Sequence, residues 1–240
     1  ADRWAQLVTA AGMPGDLRAQ NGGAGGAYEI VVAPSRPQRI YMAFRGRVFR
    51  SDDRGRNWTQ PHAGNPFPLV WDANSEYRLH GPFMAVDPAN PDLVLLGTPA
   101  AGLWRSADGG ASWTRVAGVP GAKDRKPDAG VQAPGILLWF ERPAGGRPTG
   151  RLVALSPGNG MFVSSDGGAG FRPLPATGAQ PLTLQRGTFD RRGTFFGVDD
   201  LTKSIWSYRA GRWRDLTAEL GLSVREYAAV AANPRADQVI

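Results

Sequence analysis

Ser51 to Trp58 reads SDDRGRNW, Ser106 to Trp113 reads SADGGASW, and Ser164 to Phe171 reads SSDGGAGF. All three follow Ser-x-Asp-x-Gly-x-x-aromatic. They begin 55 and 58 residues apart, a period that fits one supersecondary unit of four short strands copied along the chain. An apolar stretch leads into each copy (Val48-Phe49, Leu103-Trp104, Met161 to Val163), and a second short stretch leads out (Trp58-Thr59, Trp113 to Val116, Phe171 to Leu174). That is the pattern of a hairpin. Asp53, Asp108 and Asp166 are suited to accept backbone N–H groups across the turn, while Gly55, Gly110 and Gly168 supply the positive φ that bulkier residues resist. Trp58, Trp113 and Phe171 then pin the returning strand by burying a ring. The boxes opened by Ser51, Ser106 and Ser164 are therefore read as folded turns. Their aspartates receive no chemistry, because a reaction centre needs groups that converge, and copies on successive units are spread around a ring. A decayed fourth copy, Ser207 to Trp213 (SYRAGRW), has Arg209 in place of the aspartate and is one residue short.

A second phrase sets the register: Ala33-Pro34-Ser35-Arg36-Pro37, Asp87-Pro88-Ala89-Asn90-Pro91 and Asn233-Pro234-Arg235-Ala236-Asp237. Each follows an apolar run, so it marks the turn between the first and second strands of a unit. The expected fold is all-β, a β-propeller with four-stranded antiparallel blades at about 28–60, 82–116, 135–174 and 182–216. A fifth blade opens at 226 and stops at Ile240 in mid-strand, so residues 1–240 are expected to be one segment of an incomplete ring, since half a blade leaves an unpaired edge.

Composition agrees with this picture. The chain has 240 residues, 42% of them hydrophobic, with 32 Gly and 20 Pro, which is enough to bury a core and rich in turn formers. No stretch approaches the roughly 20 apolar residues of a membrane helix, and ADRWAQL at the start has no leader pattern. Cysteine is absent and histidine occurs only at 62 and 80, so neither thiolate nor histidine-rich metal sites are expected, and no cofactor is. The net charge of +7 is carried almost wholly by arginine scattered through every repeat. With no basic helix or arm, nucleic acid is not the expected partner.

Strand direction separates two rims. The boxes and Pro-rich turns share one end of each blade; the long connections 61–81 and 117–134, and the short one from Asp199 to Lys203, lie at the other. Long loops on a rigid scaffold are where binding is sought. The first loop gathers His62, Trp71, Asp72, Glu76, Tyr77, Arg78 and His80. Trp71, Tyr77, Arg78 and His80 suit stacking on, and hydrogen bonding to, sugar rings; the rings of Trp71 and Tyr77 equally suit packing of the loop itself. The second loop, with Lys123, Asp124, Arg125, Lys126 and Asp128, reads as a solvated charge cluster. Asp199 and Asp200, with Asp72, are the candidate catalytic acids, since glycoside hydrolysis needs two carboxyl groups flanking one bond. Asp-Asp before a strand is also ordinary turn chemistry.

The repeated octapeptide resembles the Asp-box, or BNR repeat. Arg39 to Trp58, Asn65-Pro66-Phe67 through Asn74, and Phe83 to Trp113 together resemble the N-terminal propeller of xyloglucanase-type glycoside hydrolases, and the likeness runs loosely on to Ser204 through Thr217. The resemblance implies two tandem propellers gripping a β-glucan chain, one carboxylate from each, and inversion at the anomeric carbon. It also implies a secreted or periplasmic protein that acts as a monomer within a longer chain. In that family the first carboxylate lies in an Asp-Ile-Gly-Gly-Ala-Tyr segment before an Arg-Trp. Here Arg3-Trp4 matches only the Arg-Trp, Asp2 does not stand at the motif's aspartate, and the main catalytic carboxylates are expected outside these residues. Sialidases share the box, but their Arg-Ile-Pro signature is missing, because Tyr41 follows Arg39-Ile40. The alternative is a non-catalytic propeller that binds proteins or peptides, as sortilin-like receptors and photosystem assembly factors do.

Overall fold

A computed structural model describes residues 10–13, 15, 27–44, 46–64, 67, 80–99, 101–123, 135–141, 148–181, 183–199, 202–221 and 230–232. The first sheet holds β1 (Glu29–Val32), β2 (Ile40–Phe44) and β3 (Arg47–Ser51), and a bridge between Arg50 and Thr59 continues it outward. The second is β4 (Met84–Val86), β5 (Val94–Gly97), β6 (Leu103–Ser106) and β7 (Thr114–Arg115). The third is β8 (Leu137–Phe140), β9 (Leu152–Ser156), β10 (Gly160–Ser164) and β11 (Arg172–Pro173). The fourth is β12 (Arg186–Phe189), β13 (Phe195–Asp199), β14 (Ser204–Arg209) and β15 (Arg212–Asp215). Every pairing is antiparallel between strands adjacent in sequence. First strands contact first strands, β1 with β4, β4 with β8 and β8 with β12. These are the blades of a β-propeller, with the first strand of each innermost.

Burial follows that arrangement. β5, β8 and β9 are buried at every position, whereas β7 and β11 are exposed. A strand covered on both faces by neighbouring blades reads as a continuous apolar run rather than an alternation, as VLLG, LLWF and LVALS do. Phe67 lies between blades, edge-on to Trp104 at 5.5 Å and to Trp113 at 5.3 Å. Rings at that spacing and tilt add to the area they bury.

The boxes are small hydrogen-bonded knots. Ser51 Oγ, buried, accepts the N–H of Gly55 at 2.8 Å and donates to Asp53 Oδ1 at 2.8 Å; Ser106 with Gly110 and Asp108, and Ser164 with Gly168 and Asp166, repeat this. The aspartates then accept backbone N–H groups beyond the turn, from Asn57, Ser112 and Gly170. The side-chain amide and backbone N–H of Asn57 hold the Asp53 carboxyl down to about 2. Gly55, Gly110 and Gly168 have φ of 85°, 91° and 81°, where a Cβ is penalised. Trp58 and Trp113 each donate from Nε1 to the carbonyl of that glycine, at 3.0 and 3.1 Å. Trp58 is buried, while Trp113 and Phe171 are half-buried. In the fourth blade Ala210 and Gly211, at φ of 50° and 81°, make a two-residue turn between the paired Arg209 and Arg212. Two consecutive left-handed residues give the primed hairpin that suits strand twist, so the box is replaced by a shorter turn.

The box face also links the blades. Arg50, just before the first box, donates to Gly109 O in the second at 2.9 Å; Arg105, just before the second, donates to Gly167 O in the third at 3.0 Å. Val163 stands at the same place before the third box. There the junction is held otherwise, by Thr177 N–H to Gly211 O at 2.9 Å and Tyr208 O–H to Pro175 O at 2.6 Å. Arg39, 5% exposed, bridges Asp52 of its own blade and Asp92 of the next.

Candidate functional site

Each box is bonded to the turn between the first and second strands of its own blade: Arg54 N–H to Gln38 O, Gly109 N–H to Asp92 O, and Gly167 N–H to Gly150 O. Those turns and the boxes therefore share one rim. The opposite rim carries the turns β2–β3, β5–β6, β9–β10 and β13–β14, together with the starts of the inner strands, Glu29, Met84, Leu137 and Arg186. Function is sought there.

Trp71, Asp72, Tyr77, Arg78 and Asp200 lie outside the described residues, as does 124–134 of the second loop. His80 is described and is 5% exposed, so it presents almost no ring surface of its own. Asp199 is fully buried: Oδ2 accepts Thr183 N–H at 2.8 Å, and Oδ1 accepts Thr183 O–H at 3.2 Å and Thr202 N–H at 3.1 Å. These bonds make Asp199 a fastening residue. It closes the β13–β14 turn and ties it to the segment entering β12.

His62 is also an internal residue. It is 8% exposed, and its Nε2 accepts the N–H of Val48 at 3.1 Å. That bond requires an unprotonated Nε2. Burial accordingly pushes the imidazole below its usual value, against the opposing pull of the Ala63 and Gly64 backbone. His62 tilts against Phe67 at 6.2 Å, so the start of the long loop is anchored between blades one and two.

One polar group that sequence motifs do not mark lies where inner strands begin. Glu29 opens β1 and Arg186 opens β12, both half-buried. Between them runs the segment entering β4: Gly81 N–H donates to Gln185 O at 2.9 Å, and Phe83 N–H donates to Glu29 Oε2 at 2.8 Å. Gly81 has φ of 151°, and a Cβ placed on it would stand 3.3 Å from Glu29 Oε2 and 3.9 Å from an Arg186 terminal nitrogen. Burial raises the Glu29 carboxyl above its usual value, with the N–H groups of Phe83 and Ile30 and the charge of Arg186 pulling the other way. Arg186 pairs through its backbone with Val198 of β13, and its guanidinium charge acts on the Glu29 carboxyl. A carboxylate and a guanidinium thus both stand beside the backbone of Gly81. No cluster of three or more metal-ligating side chains occurs among the described residues, and no helix among them is long and apolar enough to cross a membrane.

Four antiparallel blades, with box turns at one rim and inner-strand starts at the other, define a β-propeller. The comparisons with known proteins narrow the class. No family model matches the chain. The probable oligoxyloglucan-reducing end-specific xyloglucanase of Neosartorya fischeri is 32% identical over 165 residues, 65% of this chain and 18% of its own length. Xyloglucanase Xgh74A of Acetivibrio thermocellus is 26% identical over 230 residues, 80% of this chain and 26% of its own. The crystal structure of the GH74 xyloglucanase from Xanthomonas campestris superposes with a TM-score of 0.64 at 28% identity, covering 81% of this chain and 31% of that one. YCF48 from Cyanidioschyzon merolae shares the fold, at a TM-score of 0.51 and 12% identity. The chain spans between 18% and 26% of the length of the two relatives, and the resemblance to the N-terminal propeller of the xyloglucanases holds along most of it.

Proposed function

We propose that this chain is the propeller segment of an inverting endo-β-glucanase of the xyloglucanase type, secreted or periplasmic. It binds a polysaccharide chain on the box-free rim, and the main catalytic carboxylates lie outside residues 1–240. The single observation that carries this is the sequence likeness to xyloglucanases across 80% of the chain, which exceeds what a shared propeller fold at 12% identity supplies. In this reading the octapeptides are Asp-boxes with a purely structural task, and the unit is one propeller segment with blades at about 28–60, 82–116, 135–174 and 182–216. Trp71 and Tyr77 stack on sugar rings, and Arg78 binds hydroxyls beside them.

The test is hydrolysis and binding by the full-length protein. Xyloglucan or a related β-glucan is expected to yield new reducing ends, and oligosaccharides to bind with an affinity that Trp71→Ala or Tyr77→Ala weakens at nearly unchanged melting temperature. Loss of several degrees with unchanged affinity makes those rings loop packing. Neither hydrolysis nor affinity for any β-glucan ends the proposal.

A further inference from the structure

We propose that the fourth blade, at the rim that carries the boxes in the other three, is a docking site for an acidic protein segment presenting carboxylates along one side of an extended strand. The register aligns its residues. Phe189 pairs with Phe195, Phe195 with Tyr208, and Tyr208 with Trp213. One residue nearer the rim therefore stand Asp190, Thr194, Arg209 and Arg212, side by side across the four strands; Asp190 N–H donates to Thr194 O at 2.9 Å, and Arg209 pairs with Arg212. Arg191 and Arg192 follow in the turn between β12 and β13, and all four arginines are exposed. At about 4.8 Å between strands the row is about 14 Å wide. Arg209 holds the place of the box aspartates Asp53, Asp108 and Asp166, so the charge of this rim is reversed here.

The carboxylates in and beside the row are already engaged. Asp190 Oδ1 accepts the N–H groups of Arg192 and Thr194, each at 2.8 Å. Glu141, which lies beside Gly193 of the same turn, accepts from Arg151 at 3.0 Å and from Thr149 at 2.9 Å. Like charges directly opposite each other weaken a strand pair, so Arg209 facing Arg212 carries a cost that an anion bound at the two relieves. The positive field extends toward the third blade: burial raises the Tyr208 hydroxyl above its usual value, while the charges of Arg151 and Arg172 pull it the other way. A guanidinium fork matches a carboxylate in two parallel bonds. Alternate side chains of an extended strand lie on one side about 6.6 Å apart, so three carboxylates at every second residue span about 13 Å, close to the width of the row. A saccharide is bound by stacking on exposed rings, and the aromatic side chains nearest the row, Phe195, Tyr208 and Trp213, are buried. Arginine clusters are a recurrent means of reading acidic motifs.

The experiment is calorimetric titration of the full-length protein with a short peptide of alternating serine and glutamate that carries three glutamates, at low and at physiological salt. Saturable one-to-one binding that weakens as salt rises is expected. Arg209→Gln and Arg212→Gln should each bind about two- to fivefold more weakly, and the double variant about tenfold or more. The control is Arg54→Gln with Arg56→Gln, which removes the same charge from the exposed box turn of the first blade, beside Asp52 and Asp53; its affinity should stay within about twofold of wild type. An equal loss in that control overturns the site, because the peptide then reads net charge alone. Absence of peptide binding overturns it as well, and so does tighter binding of single-stranded DNA or of polygalacturonate, which assigns the rim to another kind of polyanion. The single variants should melt at the wild-type temperature or above it, as relief of like charges requires; lower melting in both shows the arginines bracing the hairpin and ends the proposal.

Discussion

Replacement of Ser106 by alanine tests whether the boxes are structural, and the result can be estimated from their geometry. Ser106 Oγ is buried at 1% exposure, accepts the Gly110 N–H at 2.8 Å and donates to Asp108 Oδ1 at 2.8 Å. Alanine leaves the Gly110 N–H buried without an acceptor, which costs about 1–3 kcal/mol, and frees an aspartate that holds the outgoing strand. The central expectation is about 2 kcal/mol. For a domain of this size each kcal/mol moves the melting temperature by roughly 2–4 °C, so Ser106→Ala melts about 4–8 °C lower. The comparison is Ser112→Ala in the same box, whose hydroxyl binds Asp108 Oδ2 at 2.5 Å in an exposed position. Water replaces that partner, and the expected loss is below about 1 kcal/mol. Calorimetry of the two variants beside wild type measures both. Equal losses, or a Ser106→Ala shift of under about 1 °C, would refute the argument that the buried serine, more than the conspicuous aspartate, closes the turn.

Two further outcomes follow from described contacts. The His62 imidazole titrates below its usual value in the folded protein, so its stabilising share is complete above about pH 6.5 and is lost as pH falls through the folded value; unfolding in denaturant between pH 7 and 5 should show this slope in wild type and not in His62→Gln, and an identical slope in both would contradict it. Arg105→Met removes the bond to Gly167 O between the second and third blades and is expected to cost about 1–2 kcal/mol, read as a lower melting temperature and faster amide exchange in β10, with unchanged exchange there counting against the bond.

The parts of this fold legible in the sequence are those that repeat. Three boxes and two described Pro-rich turns mark strand ends locally, because a serine, an aspartate and a glycine within eight residues satisfy one another wherever the chain goes. Pairing between neighbouring strands follows from them. Contacts between blades do not: Arg50 to Gly109 and Arg105 to Gly167 join residues 59 and 62 apart, and nothing near either arginine sets it apart from the many exposed ones. Asp199 shows the same limit from the other side. Beside Asp200 it looks like a pair of acids, but its burial is decided by Thr183, 16 residues earlier. Glu29 is inconspicuous for a like reason. The carboxylate at the start of EIVV finds its partner, Phe83 N–H, 54 residues further on.

Arg50 and Arg105 each reach into the following blade, so the first and second blades each carry half of a lock whose other half belongs to the successor. Such a unit cannot lose its box privately. Where the fourth blade has exchanged the octapeptide for a two-residue turn, the matching position behind it is Val163, buried at 5%, and the guanidinium has gone with the carbonyl it would have sought. The locks span 59 and 62 residues, longer than the 55 and 58 that separate the boxes, so they overlap in sequence and a graft one repeat long splits them wherever it is cut.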